Sequence, residues 1–186
     1  MKKITLLTTL LLITSVTLAQ QNRTEFGLKG GVNLANLENT ANTESRTGFN
    51  VGALAHFHVS PRFALQPELQ FSTQGAKMNN GGTHENNYIN LPLMGQVMFG
   101  EGFRLQTGPK IGYLVSSKAD SGNNKTDLDN IYEKTDFSWS VGAGYLTRNG
   151  LGFDARYNIG LNDISQNNND VKNRVWQIGL FYQFRK

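Results

Sequence analysis

The chain of 186 residues has no cysteine, only 4 prolines and only 17% charged residues. Without cysteine there is no disulfide framework, thiolate zinc site, cysteine nucleophile or lipidated cysteine anchor. A mean hydropathy of −0.40 excludes a polytopic helical membrane protein. A disordered chain is poor in aromatic residues, whereas this chain has 11 phenylalanines, so a disordered chain is excluded. The length fits one domain that buries a core or closes a small barrel.

The N-terminus has the features of a secretory signal peptide. Lys2 and Lys3 precede an apolar run from Ile4 to Leu18, and Ala19 places a small residue at its end. The run is short for a membrane-spanning helix, which needs about 20 residues. We predict a signal peptide over 1–19 and one mature domain over 20–186. Loss of the two lysines lowers the net charge from +4 to +2, which does not indicate nucleic-acid binding.

The mature chain alternates apolar and polar residues in eight separate runs, which predicts β-strands with two different faces. Each run spans roughly 10–14 residues, enough for a tilted membrane-spanning strand of about 9–11 residues. Representative apolar-face residues, in run order, are Leu28 and Val32; Val51 and Phe57; Leu65 and Leu69; Leu91 and Leu93; Leu105 and Ile111; Trp139 and Val141; Phe153 and Tyr157; Ile178 and Leu180.

Short and long connections alternate along the chain. Tight turns are predicted at Ser60-Pro61-Arg62, Gly100-Glu101-Gly102 and Arg148-Asn149-Gly150. Longer polar loops are predicted at roughly 35–46, 77–87, 116–136 and 163–173. Short turns at one end, long loops at the other and an even strand number are typical of an outer-membrane barrel. The sequence therefore predicts an all-β fold, an eight-stranded antiparallel up-and-down transmembrane barrel with short periplasmic turns and long extracellular loops.

The polar face indicates that the apolar face is turned outward. A water-facing surface carries frequent Lys and Glu, whereas this face is mainly Gly, Asn, Gln and Ser. Aromatic residues of the apolar face lie toward both ends of the runs, as two bilayer interfaces favour. The alternative is a secreted soluble ligand-binding barrel with an apolar interior. In lipid, the first and last strands must pair, because an open edge leaves unpaired amides. Pro67, Pro92 and Pro109 fall inside strands, where we expect bulges or strand ends.

Several segments resemble the PorT-like, "porin family" outer-membrane β-barrel domain of Bacteroidota. The segment from Gly142 through Leu161, with its Asn149-Gly150 turn, looks like that family. The first strand from Phe26 to Asn33 and the last, Asn173 through Phe184, are similar to its ends. The resemblance implies an eight-stranded barrel located in the outer membrane, mostly of unassigned role, and supplies no catalytic residues. One departure from the usual pattern is that Arg185 and Lys186 follow the terminal aromatic residue, Phe184, so we expect the signal that the assembly machinery reads to be weaker or shifted by two residues.

The barrel lumen is the first candidate site. Buried charges need partners, so we expect either a structural ion-pair network or a narrow, weakly anion-preferring path. Glu68 is predicted within reach of Lys29, Lys110 or Arg156, with Asp154 and Arg104 near the short-turn end. The inward charged residues are Lys29, Glu68, Arg104, Lys110, Asp154 and Arg156.

Two histidines, His56 and His58, also face inward near the short-turn end. Their spacing is compatible with a metal site near Asp154, but ordinary lumen hydrogen bonding is the expected role. We predict no cofactor and no metal. An outward Ser–His–acid group would indicate a lipid-modifying enzyme, but no histidine is predicted outside and Ser138 and Ser140 face inward. We therefore predict no catalytic residues and no enzyme.

The loops are the remaining candidate surface, because loops carry binding function more often than barrel walls. Their densest acidic cluster could contact a divalent cation beside lipopolysaccharide, although it lacks calcium-loop spacing. Its members are Asp127, Asp129, Glu133 and Asp136.

The predicted function is that of a monomeric structural or interaction protein of the outer membrane. Its expected partners are outer-membrane lipid, lipopolysaccharide and, through the C-terminal strand, the assembly machinery. No nucleic acid is expected, and the loop partner is left open. The main alternative is a narrow small-solute channel.

Overall fold

The computed structural model describes residues 24–38, 43–78, 82–120, 125–127, 133–162 and 172–184. The predicted signal peptide lies outside the described residues. Within these ranges no helix is long and apolar enough to cross a membrane. The strands are β1 (Thr24–Glu38), β2 (Thr43–His58), β3 (Phe63–Met78), β4 (Thr83–Phe99), β5 (Phe103–Asp120), β6 (Lys125–Asp127), β7 (Thr135–Leu146), β8 (Leu151–Gly160) and β9 (Lys172–Phe184).

Eight of these strands form one closed antiparallel barrel, as predicted. Around the barrel the order is β1-β2-β3-β4-β5-β7-β8-β9, and β9 returns to pair with β1. The closing ladder runs from Phe26 opposite Phe184 to Glu38 opposite Lys172. The short β6 pairs only with the end of β5 among the described strands. Closure removes both sheet edges, which hydrocarbon does not tolerate.

The three tight turns lie where the sequence predicted them. At the last of these turns, the Thr147 amide donates to the Leu151 carbonyl at 2.8 Å, and the Gly150 amide to the Thr147 carbonyl at 3.1 Å. Gly150 has a φ of 86°, a conformation that glycine adopts without steric cost. This explains the Asn-Gly pair at that position.

The strands extend much further into the predicted loops than the alternation indicated. For example, β1 continues to Glu38 and β5 to Asp120, although loops were expected from about 35 and 116. His84 lies in β4 instead of a loop. The predicted strands end too early because the extensions are rich in Asn, Thr and Ser. These residues do not show the apolar alternation on which the strand prediction depended.

Side-chain burial confirms the inside-out arrangement. The large apolar residues of the alternating face are exposed, as shown by Phe26 (62%), Leu180 (60%) and Leu91 (55%). The opposite face is buried and polar, with Asn33 and Asn90 fully enclosed. The described barrel therefore has a polar interior and an apolar wall.

The prolines were predicted to cause bulges or strand ends, and this prediction was wrong. Pairing between β2 and β3 is interrupted at Gln66 and Pro67. Pairing between β4 and β5 includes Pro92 opposite Lys110 and is interrupted at Gly108 and Pro109. The register is the same on both sides of each gap. The shifts lie instead between Ser45 and Asn50 and between Asn87 and Tyr88.

Candidate functional site: the lumen charge cluster

An ion pair between Glu68 and Arg156 crosses the centre of the lumen. Glu68 is on β3 and Arg156 on β8, four strands apart in either direction around the barrel. The guanidinium donates from Nη1 to Oε2 at 2.8 Å and from Nη2 to Oε1 at 2.5 Å. The two side chains are only 1% and 0% exposed. Such a two-pronged contact is among the strongest hydrogen-bonded arrangements of charged side chains.

A second acid–base pair adjoins the first. Lys29 of β1 donates to Asp154 of β8, and Arg156 Nε lies 3.0 Å from the same carboxylate oxygen. The four residues Lys29, Glu68, Asp154 and Arg156 form what we call the lumen charge cluster. Its two basic and two acidic groups balance, so each buried charge has an opposite charge beside it.

Glutamines add further hydrogen bonds to the cluster. Gln66 donates to Glu68 Oε1 at 2.6 Å, and Gln70 donates to the other oxygen of the same carboxylate. Gln106 donates to Asp154 at 3.2 Å and accepts from Arg156 at 2.9 Å. The amides therefore hold the charged groups in one arrangement.

Glycines provide the space for these long side chains. A Cβ atom at Gly142 would lie 2.9 Å from Cγ of Arg156, and one at Gly144 would lie 3.0 Å from Cβ of Asp154. The sequence left open whether the inward glycines leave gaps or make room for charged side chains. At these two positions the nearest atoms are the carbonyl oxygens of Ala155 (2.4 Å) and Phe153 (2.9 Å), with the charged side chains next, so no gap is left.

Arg104 and Lys110 lie outside the cluster. Arg104 donates to Gln96 at 3.3 Å, and its guanidinium carbon lies 5.5 Å from the centre of the Phe181 ring. Lys110 is buried and experiences the attractive charge of Asp136. Of the three predicted bases for Glu68, the structure places Arg156 in contact.

A layer of apolar residues, which was not predicted from the sequence, lies inside the barrel toward the short-turn end. Leu54, Leu146 and Phe181 are each 5% exposed or less and form one cluster. A Cβ atom at Gly152 would meet the Phe181 ring at 2.2 Å. The alternation places these three residues at inward-facing positions of their strands, and this was the available signal. The prediction used only the polar residues at such positions.

His56 and His58 line a cavity of about 280 Å³ at the short-turn mouth, together with Glu25, Glu101 and Arg104. The two imidazole rings meet edge to face at 4.6 Å between centroids. His56 is buried and its Nδ1 lies 3.2 Å from the Gln66 side-chain oxygen. In the part of the chain that the structure describes, no group of three His, Asp or Glu residues is arranged to hold a metal.

The predicted acidic loop cluster is not a single surface. Asp136 lies within β7, is completely buried and accepts from Ser138 and Asn173, both at 3.4 Å. It was predicted on a loop because strand β7 was expected to begin later. Glu133 is exposed just before β7. Asp127 lies in β6, and Asp129 falls outside the described residues.

A closed eight-stranded barrel with an apolar wall and a polar lumen defines an outer-membrane β-barrel protein. The model of the outer membrane protein beta-barrel domain family matches residues 18–166. The chain belongs to this family, and its location is the outer membrane. No curated protein sequence matches it.

Solved structures that are similar to the chain include two bacterial surface proteins. The attachment invasion locus protein Ail of Yersinia pestis aligns with a TM-score of 0.57 at 16% identity, over 87% of this chain and 99% of that chain. Neisserial surface protein A aligns with a TM-score of 0.59 at 12% identity, over 86% and 97% of the two chains. Identities at this level show the shared fold alone.

Proposed function

We propose that this protein is a structural or interaction protein of the outer membrane, with a closed lumen and its contact surface at the long-loop end. The observation that supports this most directly is the Glu68–Arg156 ion pair across the barrel centre. An eight-stranded barrel has an interior just wide enough for side chains, so one pair can obstruct it.

Two adjoining obstacles support the closed lumen. An ion crossing the barrel meets the lumen charge cluster and, directly beside it, the layer of Leu54, Leu146 and Phe181, since Phe181 lies opposite Lys29 and Leu54 lies opposite Glu68. Separating a buried ion pair is strongly unfavourable, because each charge loses its partner without gaining water. The apolar layer adds a second region in which an ion has no hydrogen-bond partners.

The alternative, a narrow channel with weak anion preference, has one observation in its favour. The cavity beside His56 and His58 extends into the short-turn mouth, so that end of the lumen is partly open. Asp136 weakens the case for anion preference, because it adds a third buried acid to Glu68 and Asp154. The buried basic residues of the lumen are Lys29, Arg104, Lys110 and Arg156, so four basic groups face three acidic ones.

Single-channel recording in planar bilayers tests the proposal. The refolded mature protein, Glu68→Ala and the control Glu101→Ala are compared. We expect no steps from the wild type or the control, because Glu101 pairs with Arg148 at the exposed rim. Steps from Glu68→Ala alone would support the ion pair as the obstruction. Reproducible steps from the wild type, altered by Glu68→Ala but not by the control, would overturn the closed lumen.

We further propose that the protein is a monomer of the PorT-like group, contacts lipopolysaccharide near its loops and has no catalytic activity. Ser138 and Ser140 are buried in the lumen, which supports the last point. The assembly machinery is proposed to recognise β9, which ends at Phe184. Incubation in phospholipid vesicles tests catalysis: released fatty acid that depends on folded protein would contradict it.

A further inference from the structure

A groove of about 400 Å³ lies on the outer wall of the barrel at the long-loop end. Its lining residues come from four adjacent strands: Leu34 and Asn36 of β1, Ser45 of β2, Tyr157 of β8, and Arg174 and Trp176 of β9. The groove lies outside the lumen, so its role does not depend on whether the lumen conducts.

The groove has an apolar lower row and a polar upper row. In the lower row, Trp176 lies opposite Leu34 on one side and Tyr157 on the other. The Tyr157 and Trp176 rings are 4.7 Å apart between centroids. In the upper row, Arg174 lies opposite Asn36, and its apolar neighbour on the other side, Ile159, does not line the groove. The two rows are about 7 Å apart, because strands rise about 3.3 Å per residue.

This change from apolar to polar marks the bilayer boundary. Tyrosine and tryptophan favour the membrane–water interface, where their rings reach the hydrocarbon and their polar atoms reach water. Trp176 is 54% exposed and Leu34 47% exposed, so the lower row faces lipid. Arg174, one row further toward the loops, therefore lies at the level of the lipid headgroups.

We propose that this groove binds the phosphate-bearing headgroup of a membrane lipid. Arg174 holds the phosphate, since a guanidinium presents paired donors that match phosphate oxygens. Asn36 and Ser45 supply further hydrogen-bonding groups at the same level. The Tyr157–Trp176 pair and Leu34 contact the apolar part of the lipid. A free anion would leave this lower row unused, which favours a lipid over a soluble phosphate.

Lipid retention measured by native mass spectrometry tests this site. The folded mature protein is released from phosphatidylcholine nanodiscs that contain phosphatidic acid. We expect the wild type to retain one phosphatidic acid in preference to phosphatidylcholine, because the phosphomonoester carries more negative charge and is not covered by a choline group. Arg174→Ala should weaken retention about ten-fold or more, because a charge-assisted contact is lost. Arg174→Lys should weaken it less, since the charge remains and the paired donors do not.

Matched controls separate this site from general attraction of anions. Lys134→Ala removes an exposed cation at the long-loop end and should leave retention unchanged. Cholesteryl hemisuccinate, an anionic lipid without phosphate, should be retained much less, and soluble glycerol 3-phosphate should not compete. A heat-shifted gel band verifies that each variant is folded. Unchanged retention in folded Arg174→Ala, equal retention of the carboxylate lipid, or competition by glycerol 3-phosphate would overturn the proposal.

Discussion

Arg156 on β8 and Glu68 on β3 meet at the centre of the barrel although 88 residues separate them in the chain. Their strands lie on opposite sides of the closed sheet, so the pair connects the two halves of the wall through the lumen. In the closed lumen that we propose, this contact obstructs the path through the barrel, and its loss would leave a buried charge without its partner.

Removal of one member of this pair should destabilise the barrel strongly. Glu68→Ala leaves the Arg156 guanidinium buried without its main partner, and we expect a loss of about 3 to 5 kcal/mol in the free energy of unfolding. Urea unfolding of the protein in lipid vesicles measures this. The double variant Glu68→Leu with Arg156→Met should lose less, because it leaves neither of the two charges unpaired. Equal losses in single and double variants would contradict this reasoning.

The apolar layer makes a separate prediction at Gly152. Gly152→Ala places a methyl group against the Phe181 ring, where overpacking should cost about 1 to 3 kcal/mol. Adding Phe181→Leu should recover part of the loss. Gly95→Ala is the control, since its Cβ would have Thr107 O as nearest neighbour at 3.5 Å. Equal unfolding midpoints for Gly152→Ala and Gly95→Ala would show that the ring is not confined.

A hydrogen bond on the outer wall can be tested by a double-mutant cycle. The Trp139 indole donates to the Thr107 hydroxyl at 2.9 Å, and that hydroxyl lies 3.0 Å from the Ser140 carbonyl. Trp139→Phe and Thr107→Val should show a coupling energy of about 1 kcal/mol in unfolding measurements. Purely additive effects would mean that the indole finds an equivalent partner in the interface.

Closure of the barrel can be tested by cross-linking, because the chain has no native cysteine. Leu28 on β1 lies opposite Tyr182 on β9, and both side chains are exposed on the outer wall. After refolding and oxidation, Leu28→Cys with Tyr182→Cys should form a disulfide that changes the mobility of the boiled protein. Leu28→Cys with Leu105→Cys, whose strands are not neighbours, should not. Cross-linking in both pairs would argue against the register.

The alternation of residues along each strand predicted a β-barrel with two different faces, and the turn residues predicted the short turns. The composition of the polar face and the positions of the aromatic residues predicted which face is outside. These are local properties, because successive side chains of a strand point to opposite sides. The strand ends were less predictable. The polar extensions of β1 and β5 have no apolar periodicity, and their pairing depends on the neighbouring strand.

The pairings in the lumen were decided only by the tertiary structure. The sequence indicated that Glu68 and Arg156 face inward, but it offered Lys29, Lys110 and Arg156 equally as partners. Strand number and register determine which inward residues share a level, and both result from closure of the whole sheet. The same holds for Asp136, whose burial depends on how far β7 extends. The two faces are thus determined by neighbours in sequence, whereas contacts across the lumen depend on strands that meet only when the barrel closes.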